Sequence, residues 1–372
     1  MNEANHTQGH ITRRHMLRTA TAGAVGAAAA SLVSRPGTSL LAANAVAADP
    51  RILGPFLILS TPFTASGEVD YDSLAREACY LDWCGCPGMI WPQSGDSIDL
   101  LTNEEKLKGM EVLAETSRKL KTTALCLGVQ GKDTDEMLMF ARHVEKLAPP
   151  AMISRPPDSG KTEDDLRQYW SALAAVAKRP VFIQTTGGVT YKGPIPSVKL
   201  LVELAEKFPQ FGYVKEEAGD VFGRMRQEIA AKPPIRRVFS ARGGYHWLKE
   251  LEMGSEGLIT ERNIYADVLT HIWRLHQSGS DPAAMKDAFG KFLQMLKLNK
   301  SLPGSDLRGI QLYLLKKRGV FQTMVSRHYG PNKSIPESPI YSDLKLSQDA
   351  IVKIERGYET LTPYRKPGEP SL

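Results

Sequence analysis

Phe56-Leu57-Ile58-Leu59-Ser60-Thr61-Pro62-Phe63-Thr64 decides between two α/β architectures for this 372-residue chain. The run over 56–60 is apolar enough to be a buried strand, and the turn after it is the test. An open, doubly wound sheet usually carries a glycine-rich phosphate turn after its first strand. Here that place reads Thr61-Pro62-Phe63-Thr64, and no GxGxxG occurs there. Working outward, apolar runs at 56–60, 89–92, 123–128, 152–154, 181–185, 212–215, 237–240 and 257–260 read as strands. Amphipathic stretches at 72–83, 103–120, 135–146, 163–177, 197–208, 221–231, 245–253 and 266–276 read as the helices that follow them. The second helix opens on Thr102-Asn103-Glu104-Glu105, a capping box in which Thr and Glu satisfy each other's orphan backbone donors. Near-continuous apolar strands alternating with helices require a parallel sheet covered by helices, and eight repeats predict closure. The expectation is an α/β chain: a (β/α)8 TIM barrel over 54–280 with additional C-terminal helices over 281–330. Residues 331–372, rich in Pro, Ser and Lys, read as an extended arm.

In such a barrel the chemistry sits at the C-terminal ends of the strands. The sixth strand ends at Lys215, in Tyr213-Val214-Lys215-Glu216-Glu217-Ala218-Gly219. A buried ammonium is costly without a partner, whereas a neutral amine can attack a carbonyl and form a Schiff base. The alternative is a lysine that snorkels to solvent; its place on a barrel rim favours the nucleophile. Side chains alternate along a strand, so if Lys215 faces inward, Glu217 does so rather than Glu216. Arg155, Arg242 and Arg262 follow strands four, seven and eight. They are either loop-tying ion pairs or the means of recognising an anionic substrate, since Arg matches carboxylates bidentately.

The N-terminal 47 residues read as an export signal. Thr12-Arg13-Arg14-His15-Met16-Leu17-Arg18 is a twin-arginine n-region, an apolar stretch runs from Ala20 to Val33, and Ala45-Val46-Ala47 offers a cleavage site. The mature chain is expected in the periplasm or secreted, with no stable membrane insertion. The segment holds Arg13, Arg14, Arg18 and Arg35 against Glu3, so its removal lowers the formal charge from +6 to about +3. That mild balance, without a basic run interleaved with aromatics, excludes nucleic acid as the expected partner. Cys79, Cys84, Cys86 and Cys126 form no CxxC pair and complete no zinc pattern, so buried free thiols and no metal are expected.

Four segments, taken together, resemble the dihydrodipicolinate synthase / N-acetylneuraminate lyase family of Schiff-base-forming lyases over roughly residues 54–328. Thr61-Pro62-Phe63 with Val69-Asp70-Tyr71-Asp72-Ser73-Leu74 is similar to its opening strand and helix. Ser94-Gly95-Asp96 before Leu101-Thr102-Asn103-Glu104-Glu105 resembles its GTTGE…LTxEE segment. Val214-Lys215-Glu216 resembles its lysine strand, and Gly257-Leu258-Ile259-Thr260 with Asn263 its last strand. The resemblance implies that Lys215 forms the Schiff base, and that Ser94 with the Ser94 and Gly95 amides holds the carboxylate of a 2-oxo acid. It implies that Ile259 touches the bound acid, that no cofactor is needed, and that the chain forms a homo-oligomer.

The departures concern proton transfer. Gln184 stands where the family's strand five begins with a relay Tyr, and an amide can orient a substrate but cannot exchange protons near neutral pH. Pro92, Gln93 and Asp96 replace the Gly, first Thr and Glu of GTTGE. Arg155-Pro156-Pro157-Asp158 lacks the second Tyr, and Val189 aligns with the family arginine. Dihydrodipicolinate synthesis itself is therefore not expected. The leading expectation is an exported aldolase or dehydratase acting on a 2-oxo acid of the sugar-acid type. Lys215 and Glu217 would be catalytic, and Ser94, Gly95, Gln184, Arg242 and Ile259 would bind substrate. The alternative is a degenerate barrel that binds a ligand or serves a structural role without turnover.

Overall fold

The computed structural model describes residues 48–302 and 307–370. The segment read as an export signal lies outside the described residues. Eight parallel strands alternate with helices: β1 Gly54–Ile58, α1 Tyr71–Cys84, β2 Gly88–Trp91, α2 Asn103–Ser117, β3 Ala124–Gly128, α3 Thr134–Leu147, β4 Ala151–Ser154 and α4 Glu163–Val176. The second half continues with β5 Val181–Gln184, α5 Val198–Lys207, β6 Tyr213–Lys215, α6 Val221–Ala230, β7 Arg237–Phe239, α7 Trp247–Glu252, β8 Gly257–Thr260 and α8 Ala266–Ser278. Neighbours pair in the order β7-β6-β5-β4-β3-β2-β1-β8. The ring closes where Ser240 N–H donates to Gly257 O at 3.0 Å and Ile259 N–H to Ser240 O at 2.8 Å. This is the expected TIM barrel.

Alternation along the strands divides the core in two. Outward side chains such as Leu57, Met89, Leu127 and Val214 pack under the helices. Inward ones, among them Phe56, Ile90, Cys126, Ile153, Phe182, Tyr213, Phe239 and Ile259, fill the barrel itself. Phe182 and Phe239 meet edge to face at 5.0 Å, a favoured aromatic geometry, and Phe56 joins both. Gly88 is required there, because a Cβ on it would lie 2.3 Å from the Phe56 ring. Ile52 enters the same inner cluster, and Asp49 N–H donates to the Tyr213 hydroxyl at 2.9 Å, closing the N-terminal end. The barrel is thus packed from below, and Gln184 and Lys215 stand at its upper rim.

Local chemistry sets the helix starts. Thr102 and Glu105 form the anticipated capping box on α2, and Thr162 with Asp165 forms a second one on α4. Past the barrel come α9 Pro282–Ser301 and α10 Leu307–Lys317. The expected extended arm is different. Strands β9 Val325–His328 and β10 Ile340–Asp343 pair antiparallel, and α11 Gln348–Glu359 follows. Ala350, Ile354 and Tyr358, four apart on α11, are buried, which explains why the segment folds back rather than trailing. Arg327 fastens this region to the barrel through two bonds to the Glu105 carboxylate, at 2.6 and 2.8 Å. All four cysteines are free thiols.

Candidate active site

Strand β6 delivers Lys215 to the rim with only 3% of its surface exposed. Register places it between Gln184 of β5 and Phe239 of β7. Its Nζ donates to Gln184 Oε1 at 2.9 Å and lies 3.4 Å from Glu217 Oε1. The ammonium is therefore partnered, unlike the isolated charge that a strand end alone suggests. Gln184 is oriented in turn, its Nε2 donating to the Thr186 carbonyl at 2.8 Å. Thr186 Oγ1 donates to the Glu217 carboxylate, and Glu217 N–H donates to Thr185 Oγ1 at 3.0 Å. Lys215, Gln184, Thr186 and Glu217 form one connected polar group.

Glu216 points the other way, as alternation requires. It is fully buried outside the barrel wall, accepting from Arg224 Nε at 3.0 Å and Thr185 Oγ1 at 3.0 Å. Behind it, burial and the neighbouring Glu216 carboxylate raise the Glu228 carboxyl far above the ordinary range, so that it holds its proton.

A cavity of about 220 Å³ opens above Lys215. Lys215, Glu217, Ser94, Gly95, Gln184, Arg242 and Ile259 all line it, so the seven residues expected to be catalytic or substrate-binding share one cavity, while Arg155 stands behind it. Thr186, Gly187, Gly243, Glu261 and Arg262 complete the lining. A larger cavity of about 470 Å³ lies among the C-terminal helices, between Arg318, Glu355 and Tyr358, and holds none of the barrel-rim chemistry.

Two expected roles are altered by the geometry. The Ser94 amide is not free to cradle a carboxylate, because it donates to Gln93 Oε1, which also accepts from Gln130 Nε2 at 3.0 Å. What remains on that side is the Ser94 hydroxyl and Gly95, whose φ of +97° favours a residue without Cβ. Arg155, buried to 6% exposure, donates to Ser94 Oγ and to Asp99, bringing a positive charge behind the hydroxyl. Arg242 lines the cavity but is exposed, and its guanidinium holds backbone: Nε donates to Glu217 O at 2.8 Å and Nη2 to Gly219 O at 3.0 Å. It braces the loop that carries Glu217. Ile259 lies both in the inner core and at the cavity floor.

Sequence reasoning gave no role to Thr186, Asp99 or Glu261. Thr186 directly follows the fifth predicted strand, 181–185, and that position is the signal that finds it; the Asp99 pairing depends on a contact 56 residues away in the chain and has no local signal.

With the lysine, its carboxylate neighbour and the serine side of the pocket in place, comparison with known proteins gives a consistent picture. The chain is similar to the 4-hydroxy-tetrahydrodipicolinate synthases. The enzyme of Rhizobium meliloti (strain 1021) is 27% identical over 178 residues, covering 48% of this chain and 59% of that protein. The Chlorobium chlorochromatii enzyme is 22% identical over 254 residues, covering 67% of this chain and 83% of the relative. No family model matches. Among solved structures, the lysine-bound synthase of Cyanidioschyzon merolae superposes with a TM-score of 0.68 at 16% identity, covering 83% of this chain and 98% of that one. N-acetylneuraminate lyase from Fusobacterium nucleatum gives 0.67 at 18% identity, covering 85% and 100%. The structural likeness carries the fold alone, and the sequence similarity is to the 4-hydroxy-tetrahydrodipicolinate synthases.

Proposed function

We propose that this chain is a Schiff-base-forming lyase acting on a 2-oxo acid through Lys215. The observation that carries the reading is the lysine amine at the floor of a rim cavity, 2.9 Å from an oriented amide and 3.4 Å from a carboxylate. Glu217 takes the proton that the ammonium must lose, and the freed lone pair forms a C–N bond to the keto carbon. The keto oxygen leaves as water after receiving protons, a delivery for which Glu217 and the Thr186 hydroxyl are the placed groups. The resulting iminium draws electrons from the adjacent carbon, so that a C–C bond can break or form, or a β-hydroxyl can leave. Gln184 holds the amine in line. Ser94 and Gly95, with Arg155 behind, receive the carboxylate next to the keto group.

Gln184 stands where the resemblance would place a relay tyrosine, and Arg155-Pro156-Pro157-Asp158 holds no second one. The proposed reaction is therefore a different aldol cleavage or dehydration rather than dihydrodipicolinate synthesis. Export to the periplasm or beyond, and assembly as a homo-oligomer, belong to the same proposal and rest on the sequence of residues 1–47 and on the family resemblance. Lys215→Ala, with its fold checked by circular dichroism, should no longer be labelled by pyruvate and borohydride. Labelling at the wild-type level would remove the mechanism and leave a ligand-binding barrel.

A further inference from the structure

The three rim arginines differ in what they already hold. Arg155 has Ser94 and Asp99, and Arg242 has two backbone carbonyls. Arg262, at the end of β8, is 4% exposed and lines the Lys215 cavity, yet its Nε and Nη1 donate to no acceptor among the described residues. Glu261 Oε1 lies 3.1 Å from Nη1 without the alignment of a hydrogen bond, and Glu261 Oε2 takes the Thr260 hydroxyl at 3.2 Å. Gly243 packs against the guanidinium so closely that a Cβ there would lie 2.9 Å from Nη2. A buried guanidinium whose Nε and Nη1 make no hydrogen bond is under-satisfied even beside the Glu261 carboxylate, and its planar fork matches a carboxylate.

We propose that Arg262 receives a second carboxylate, so that the substrate is a 2-oxo dicarboxylic acid. This rests on the Schiff-base reading of Lys215. The carboxylate beside the keto carbon lies at Ser94 and Gly95, the keto carbon at Lys215, and the distal carboxylate at Arg262. Charge agrees with this, because among the described residues Lys215, Arg242 and Arg262 line the cavity against Glu217 and Glu261. A singly charged acid leaves the buried guanidinium with no carboxylate beside it but the misaligned Glu261 among the described residues.

The test compares 2-oxoglutarate with 2-oxopentanoate, which lacks the distal carboxylate, as substrates for borohydride trapping on the mature protein. Half-maximal labelling should need about 10- to 100-fold less 2-oxoglutarate, the worth of a charge-assisted hydrogen bond. In Arg262→Met that ratio should collapse to about one, and Arg262→Lys should retain part of it. Equal labelling of wild type by the two acids, or a preference that survives in Arg262→Met, overturns the proposal. Calorimetry with glutarate and pentanoate, which form no imine, separates the two readings. If no oxo acid is trapped, the Schiff-base mechanism falls, and the Arg262 assignment stands only where wild type binds glutarate more tightly and Arg262→Met does not. Glutarate bound no better than pentanoate by wild type overturns it.

Discussion

Replacing Glu217 by Gln removes one charge and almost no volume from the group around Lys215. At 3.4 Å the attraction between the Lys215 ammonium and the Glu217 carboxylate is gross rather than net: about 5 kcal/mol at an effective dielectric of about 20. Much of it offsets the desolvation of two side chains that are 4% and 16% exposed. Gln can still accept from Thr186, so the stability lost should be about 1–3 kcal/mol, the cost of leaving one buried charge without its partner. The kinetic loss should be larger. A positioned general base contributes about 10²–10⁴ in rate, and an amide cannot replace it. The assay is the rate of covalent labelling by pyruvate under cyanoborohydride, followed by intact mass beside thermal melts. Combining Lys215→Met with Glu217→Gln should restore most of the stability that either change removes, because the unpaired charge is then gone. A labelling rate for Glu217→Gln close to wild type would refute the assignment of Glu217 as proton acceptor. Additive stability losses in the double variant would refute the ion pair.

Arg242→Ala should lower the melting temperature and the labelling rate together. Its guanidinium braces the carbonyls of Glu217 and Gly219; a change confined to KM would show instead that it binds substrate directly. Glu228 supplies a pH signature, since burial and Glu216 hold its carboxyl far above its ordinary 4.5. The native state keeps a proton that the unfolded chain has lost, so this contribution is complete below about pH 4.5 and is lost as pH rises toward the raised value. Glu228→Gln should make the decline in melting temperature with rising pH shallower, and an unchanged slope would contradict it. Arg13→Lys with Arg14→Lys should leave full-length precursor inside the cell, and exported wild-type protein should begin at Ala48. N-terminal sequencing reads both, and an exported chain that starts near Met1 would end the export proposal.

The barrel was legible because each strand is a short run buried on both faces, and because period-two alternation fixes which residues look inward. That rule alone placed Lys215 and Glu217 on one side and Glu216 on the other, and the structure has them so. The C-terminal segment was misread because its Pro, Ser and Lys content outweighed the four-residue spacing of Ala350, Ile354 and Tyr358 that buries α11. Its anchor, Arg327 on Glu105, spans 222 residues and leaves no local pattern. At the rim, sequence could not rank the arginines. Arg242 sits at a φ of +53° and its guanidinium lies on loop carbonyls, while Arg262 ends inside the wall. That difference comes from backbone conformation and packing, not from residue type. The same holds for the Ser94 amide, whose acceptor is the side chain of the residue before it.

The most direct test of the account is to locate the covalent adduct. The mature protein is incubated with pyruvate and borohydride, digested, and the modified lysine identified by mass spectrometry. A single reduced pyruvate is expected on the peptide containing Lys215, and none in Lys215→Ala. An adduct on another lysine, or no adduct in a protein that melts as a folded barrel, would contradict it.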